Sequence, residues 1–417
     1  MTTRTAAPAP RLHRDRYTLT LYGSFVTWGW LLYSFNPSVP LLASDLGLSN
    51  AQAGLHGTAM AVGAVLAAAV TPAAVRRLGR QPALAGACVL LAAGIALLVT
   101  GGALPVTLGA MVVVAVGGNV MIASSQAGLA DHHGRAASAA VTEANGVGAG
   151  VGLLGPLAVG ACVAVGWGWR PAVAVTAALA LATALLVRRL PRADHPVRSV
   201  PGAPASVVEA EAVEAGAVDA RVVAPAGRAV VASRWFVLAV LAAIAVENAT
   251  TYWAADLVRE RTAAGAGIAT ATTAGLVAGM TVIRFVVGPL SLRFSPARLL
   301  AGAFGVAVAG WAVLWTATTP AVALGGLVLA GLGYGAHYPL AIALLLGAAG
   351  GATDAAQARA TVAGGLAIGL APFLLGALAD QVGAHTAFLV VPVLAVVGGV
   401  AALAGGRAWR RERPALT

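Results

Sequence analysis

The chain has 417 residues, 59% of them hydrophobic and only 10% charged, with a mean hydropathy of +0.85. Soluble globular chains carry about 45–50% apolar and about 25% charged residues, so a soluble enzyme, a disordered protein and a disulfide scaffold are excluded. The formal net charge of +11 and a pI near 11 would suit nucleic acid, but the positions of the charges point elsewhere.

Residues 1–16 are polar and Arg-bearing. The apolar run from Tyr17 is long and ends at Pro37 and Pro40 without a small-residue cleavage pattern, so it reads as a first membrane helix and not a signal peptide. About 20 apolar residues cross a bilayer core as a helix. That ruler predicts twelve spans, at 18–41, 51–75, 82–101, 105–129, 136–165, 170–188, 235–257, 267–292, 298–317, 320–347, 355–380 and 384–405. The expected fold class is an all-α membrane protein in contact with the lipid bilayer. Its parts would be a short N-terminus (1–16), a six-helix bundle (17–188), a linker (189–234), a second six-helix bundle (235–405) and a tail (406–417). The linker holds Pro191, Pro196, Pro201 and Pro204, then Glu209, Glu211, Glu214 and Asp219, a composition that lacks apolar surface to bury.

All 26 basic residues are Arg, which with the abundance of Ala and Gly suggests a base-biased, bacterial genome. Arg4, Arg11, Arg14 and Arg16 precede the first span; Arg76, Arg77 and Arg80 follow the second, and Arg135 the fourth. Seven more run from Arg188 to Arg234, Arg293 and Arg298 follow the eighth span, Arg359 lies near the tenth-to-eleventh turn, and four close the chain. Arg170, Arg259 and Arg261 fall on the other side, and Arg284 lies inside a span. Positively charged loops stay in the cytoplasm, so both termini are expected there, in a plasma or bacterial inner membrane. The basic balance is then a topology signal, and no nucleic-acid partner is expected. Cys88 and Cys162, far apart in apolar runs, read as small hydrophobic filler.

A constant offset brings Gly63 onto Gly279, Arg77 onto Arg293, Gly86 onto Gly302, Gly117 onto Gly333, Pro156 onto Pro372 and Gly160 onto Gly376. In so Gly-rich a chain the Arg and Pro matches carry the weight, and they indicate an internal repeat of two pseudo-symmetric halves.

Ionisable groups at bilayer depth are costly and usually face the bundle interior. Glu247 lies about 12 residues, roughly 18 Å, into span seven, and Arg284 about 9 residues, roughly 14 Å, from the Arg-rich end of span eight. Similar depth on neighbouring helices allows an ion pair, which is either a structural tie or a pair that exchanges partners as the protein works. Glu143, in the Arg-rich third of span five, is a proton carrier or an anchor to nearby arginines. His337, between Tyr334 and Tyr338, is a core histidine or a cavity-lining group. His56, Asn119 and Asn248 are further cavity candidates, and Asn36 before Pro37 satisfies backbone groups where span one breaks. Asp380 and Asp256, at span ends, need no function. Neither the Asp131-His132-His133 turn nor any other stretch has metal-ligand spacing, and no nucleophile elbow or phosphate loop occurs. An enzyme is therefore not expected, nor a metal or other cofactor.

Twelve spans in two halves with a long middle loop resemble the major facilitator superfamily of secondary transporters over essentially the whole chain. The family's loop after span two, Gly-x-x-x-Asp-Arg-x-Gly-Arg-Arg, matches here at Arg77, Gly79 and Arg80, while its Asp is replaced by Arg76. The resemblance implies a cytoplasmic gating role for Arg77, Gly79, Arg80 and their second-half counterpart Arg293. Gly152 to Gly160, with Gly155-Pro156, resembles the Gly-Pro motif of drug:proton antiporters. Glu247 to Trp253, Gly279 to Arg284 and Gly331 to Pro339 are similar to the fucose:proton-symporter-like branch. What the resemblance implies is a monomeric carrier that moves a small organic solute by alternating access, driven by a proton gradient. A drug or metabolite efflux antiporter, a passive facilitator and a non-transporting sensor are the alternatives.

Overall fold

The computed structural model describes residues 12–191, 227–291, 293–349 and 353–410, so most of the expected linker and both chain tails lie outside the described residues. Within them the chain is helical, with no strand. Span one starts at Arg16, where the Asp15 carboxylate accepts a hydrogen bond from the Thr18 backbone N–H at 2.9 Å, an N-cap that satisfies an otherwise orphaned donor. It runs as α1 (Arg16–Phe35), tightens through a 3-10 turn at Asn36–Ser38, and continues as α2 (Val39–Leu46). Pro37 and Pro40 lack the N–H that a continuous helix needs.

Spans two to four are α3 (Asn50–Leu78), α4 (Arg80–Thr100) and α5 (Leu104–His133). Span five is split, α6 (Ala137–Gly152) and α7 (Leu154–Ala164), beside Pro156, and span six is α8 (Arg170–Arg188). The second half repeats the plan. Span seven is α9 (Gly227–Thr262), and span eight is split as α10 (Ala266–Thr272) and α11 (Ala274–Ser291). Spans nine to eleven are α12 (Pro296–Thr316), α13 (Pro320–Gly347) and α14 (Thr353–Val382), and span twelve is α15 (Ala384–Ala387) with α16 (Val390–Arg410).

The largest boundary difference from expectation is at span seven. Helix α9 starts at Gly227, ahead of the predicted 235, because Ala232, Ser233 and Phe236 are buried and extend the packing surface. Among the described residues, eleven helical segments are long and apolar enough to cross a membrane, and span one is not among them. It carries Thr18, Thr20, Ser24, Thr27 and Ser34, all buried. Two contacts tie it to other spans: Ser125 of span four donates to Ser24 at 2.8 Å, and Trp30 Nε1 donates to the Ala172 carbonyl of span six at 2.9 Å, while the Thr27 hydroxyl donates to the Gly23 carbonyl of its own helix at 2.8 Å. A helix surrounded by protein needs less apolar surface than one facing lipid.

Lipid-facing surface is plain on the other spans, where Val65, Leu185, Val362, Val393 and Val400 are each more than half exposed.

Candidate functional site

About halfway along the bundle, a small cleft is lined by Phe25, Trp28, Gly29, Leu32, Tyr33, Ile122, Asn145, Gly148, Ala149 and Arg284. The span-one members recur at i, i+3, i+4, i+7 and i+8, so they form one stripe on α1. Asn145, Gly148 and Ala149 repeat the pattern on α6. Close approach shapes the stripe: the benzene edge of Trp28 rests on Gly118 of α5, where a β-carbon would overlap it. Trp28 is 6% exposed, and its indole N–H has no hydrogen-bond partner among the described residues. Asn145 Nδ2 donates to the Val141 carbonyl at 3.1 Å. Arg284, on α11, is the one lining residue from the second half.

At the end away from the Arg-rich loops the halves are sealed by two seams. In one, α7 meets α10: a β-carbon on Gly160 would lie 2.5 Å from the Gly267 carbonyl oxygen, and one on Gly267 2.6 Å from that of Gly160. In the other, α3 meets α14. A β-carbon on Gly54 would lie 2.7 Å from the Pro372 carbonyl oxygen, and the Thr58 hydroxyl donates to the Gly369 carbonyl at 2.5 Å. The Asp380 carboxylate closes this second seam, accepting the backbone N–H groups of Asn50 and Ala51 at 2.8 Å each. These are free donors at the positive end of the α3 dipole. The repeat offset carries Gly160 onto Gly376, which itself abuts the Asn50 carbonyl, so the two seams are pseudo-symmetric copies.

The Arg-rich end is organised differently. Arg14 binds Glu143 through two hydrogen bonds of 2.6 Å, Arg80 pairs with Asp131 at 2.5 Å, and His132 meets Asp15 at 2.7 Å. Each pair joins elements of the first half. Partial burial opposes ionisation of Asp15, but the Thr18 N–H, the Thr18 hydroxyl and His132 together hold its carboxyl down at about 2. Gly79, with φ of +85°, forms the left-handed corner between α3 and α4 that a side chain would strain. Arg77 and Arg293 are exposed.

The other predicted residues scatter. Glu247 and Asn248 are half-buried on α9; Asn248 Nδ2 donates to the Ile244 carbonyl at 2.9 Å, and Glu247 lies within electrostatic reach of the Tyr334 hydroxyl. Thr250 gives its proton to the Val246 carbonyl, so Tyr334, at 2.9 Å, donates to Thr250. His337 is buried and stacked on Phe304 at 3.9 Å, in the packing between α12 and α13, and Tyr338 is buried too. His56 donates from Nδ1 to the Ala53 carbonyl at 2.8 Å and places Nε2 3.0 Å from the Thr107 hydroxyl, tying span two to span four. Asn119 donates to the Ala115 carbonyl of its own helix, and Asn36 is buried in the span-one kink. Of these candidates only Arg284 lines the cleft. Trp28, Tyr33, Asn145 and Asp380 were not picked out as site residues; the α1 stripe spacing could have found the first two.

Solved structures of the same architecture include a bacterial homolog of the human lysosomal transporter Spinster, inward-facing and occupied, with TM-score 0.71 and 14% identity over 96% of this chain and 98% of that one. A D-xylose-proton symporter aligns with TM-score 0.70 and 15% identity over 92% and 96% of the two chains. The nucleoside transporter NupG aligns with TM-score 0.70 and 12% identity over 95% and 98%. At these identities the likeness is one of fold. No curated protein matches the chain. The family model described as Major Facilitator Superfamily matches residues 21–352, most of the chain, and an enzyme is not what that family or these neighbours indicate. The chain is a multi-pass membrane transporter of the major facilitator superfamily.

Proposed function

We propose that this protein is a proton-coupled secondary transporter that carries a small organic solute by alternating access, with the Arg-rich end and both termini in the cytoplasm. The observation that carries the reading is the asymmetry around the cleft. Two seams close one end of the bundle, while the cleft between them and the Arg-rich end holds one charged residue from the second half. In this fold a site near the midplane is exposed alternately to either side as the halves rock. The sealed end is then the external one, and the conformation is open toward the cytoplasm. Glu247 supports proton coupling because it is a carboxylate at bilayer depth in the same half as Arg284, and the exchange of partners between these two is the proposed coupling step. Glu143, anchored to Arg14, is the second candidate.

The test uses protein in liposomes loaded with a pH-sensitive dye, with solutes first selected by thermal stabilisation. Solute-dependent proton movement that is lost in Glu247→Gln supports the reading. Unimpaired coupled transport in both Glu247→Gln and Glu143→Gln would sink the assignment of the proton site, and accumulation that ignores the proton gradient would sink the coupling itself.

A further inference from the structure

The corner between spans eight and nine, at the Arg-rich end, carries more than a topology signal. Topology needs arginines in the loop and asks nothing further of them. Arg293 and Arg298 are both exposed, and among the described residues neither forms an ion pair or a side-chain hydrogen bond. Arg298 is the third residue of α12, in a first turn that holds no acidic residue. A helix dipole disfavours a cation there, so the helix itself gives no reason for it. Between the two arginines Phe294 is 57% exposed. Exposed apolar side chains continue along α11 as Val282, Phe285 and Val286, one face at i, i+3 and i+4. That face points away from α13, on which α11 packs through Gly279, Met280 and Ile283. Such a surface meets acyl chains, and it ends at two free cations. The first half has the same corner with a different outcome. The repeat offset carries Arg77 onto Arg293 and Leu78, also exposed, onto Phe294. There Arg76 and Arg77 stand in the last turn of α3, where the dipole favours cations. Arg80 has Asp131, whose counterpart in the repeat is Gly347. The second corner has the cations without the carboxylate.

We propose that Arg293, Phe294 and Arg298 bind the headgroup of an anionic phospholipid in the leaflet at the Arg-rich end, with an acyl chain along Val282, Phe285 and Val286. Guanidinium groups hold phosphate oxygens through paired, charge-assisted hydrogen bonds. Basic residues at a membrane surface are drawn to anionic lipid in the same way. The Phe294 ring offers apolar contact to the chain just below the phosphate. A zwitterionic headgroup brings a phosphate too, but also a cation that the two arginines repel. A soluble phosphate ester has no chain and would leave the apolar face uncovered. Such a lipid would bind whatever solute the protein carries, and with or without proton coupling.

The experiment titrates the purified full chain, in neutral detergent, with dioleoylphosphatidylglycerol or dioleoylphosphatidylcholine and counts bound lipid by native mass spectrometry. The anionic lipid is expected to bind about tenfold or more tightly than the zwitterionic one. Each arginine near anionic lipid contributes about fivefold, so Arg293→Gln and Arg298→Gln should each weaken phosphatidylglycerol by that factor, and the double substitution by about twenty-fivefold. Phosphatidylcholine should be unaffected, and Arg293→Lys should keep most of the preference. Arg188→Gln is the control: it removes the same charge from an exposed position in the last turn of α8, and phosphatidylglycerol binding should stay unchanged. Equal affinity for the two lipids would overturn the proposal. So would an equal loss in Arg188→Gln, which would mean diffuse charge and no site. Displacement of phosphatidylglycerol by an equimolar amount of sn-glycerol 3-phosphate would overturn it as well, in favour of a soluble phosphate. Should the double variant fail to fold, the single substitutions and the lipid comparison on the wild type decide.

Discussion

The two ends of the bundle are held by different physics. At the sealed end, spans from opposite halves meet backbone to backbone at Gly160, Gly267 and Gly54, with one carboxylate, Asp380, on the α3 N-terminus. At the Arg-rich end the ion pairs Arg14–Glu143 and Arg80–Asp131 and the Asp15–His132 contact stay within one half. The first kind of contact sets which side is closed. The second makes the half a rigid unit. Changes at the sealed end should therefore alter the balance between conformations, and changes at the Arg-rich end should alter stability while leaving that balance alone.

The largest effect is expected from Gly160→Leu or Gly267→Leu. Overpacking a close contact costs about 1–3 kcal/mol, so the sealed end should open and transport should fall steeply. Thiol labelling from outside, at a cysteine placed in the α7–α10 seam, would read the opening. Asp15→Ala should cost about 1 kcal/mol of stability, the usual loss of an N-cap, with labelling unchanged. Its pH dependence has a fixed sign. The folded carboxyl sits at about 2, below the ordinary carboxylate value of 3.8, so its contribution is complete above about pH 4 and disappears as pH falls toward 2. A melting temperature for wild type that falls over that window, with a shallower fall in the variant, checks it.

Asp380→Asn comes next. The carboxylate is exposed, so its interaction with the α3 N-terminus is worth about 0.3–1 kcal/mol. That is a shift of roughly two- to fivefold toward the externally open form, visible as spin-label distances and absent from melting curves. Arg14→Gln should be smallest: an exposed partner of a surface pair contributes little, and neither labelling nor distance distributions should change. A large conformational shift from Arg14→Gln, or none from Gly160→Leu, would erase the distinction between the ends.

Much of this was legible in the sequence. Eleven of the spans follow from apolar length alone, and the repeat offset matched Pro156 with Pro372 and Gly160 with Gly376, landmarks that flank the two seams. Span one was counted although it is too polar for a strict hydropathy test, because a long run from Tyr17 ends at Pro37 and Pro40. The site was less legible. Charge at bilayer depth picked out Arg284, which lines the cleft, but also Glu143, which reaches the Arg-rich end and Arg14. His56, His337 and Asn119 looked like cavity residues because polarity shows in a sequence and facing does not. Each is buried among helices of its own half. Asp380 was set aside as a solvated span end. Its partners are backbone N–H groups more than 300 residues away in sequence, and no residue-type pattern announces such a contact.

Spin labels at Gln52 and Gln381 across the sealed end, and at Leu78 and Ala358 across the Arg-rich end, provide the decisive comparison in lipid nanodiscs. All four positions are exposed. On cycling the external pH and adding a transported solute, the first distance should lengthen in the same population in which the second shortens. Two distances that stay fixed during measured transport, or that lengthen together, would contradict alternating access between these halves.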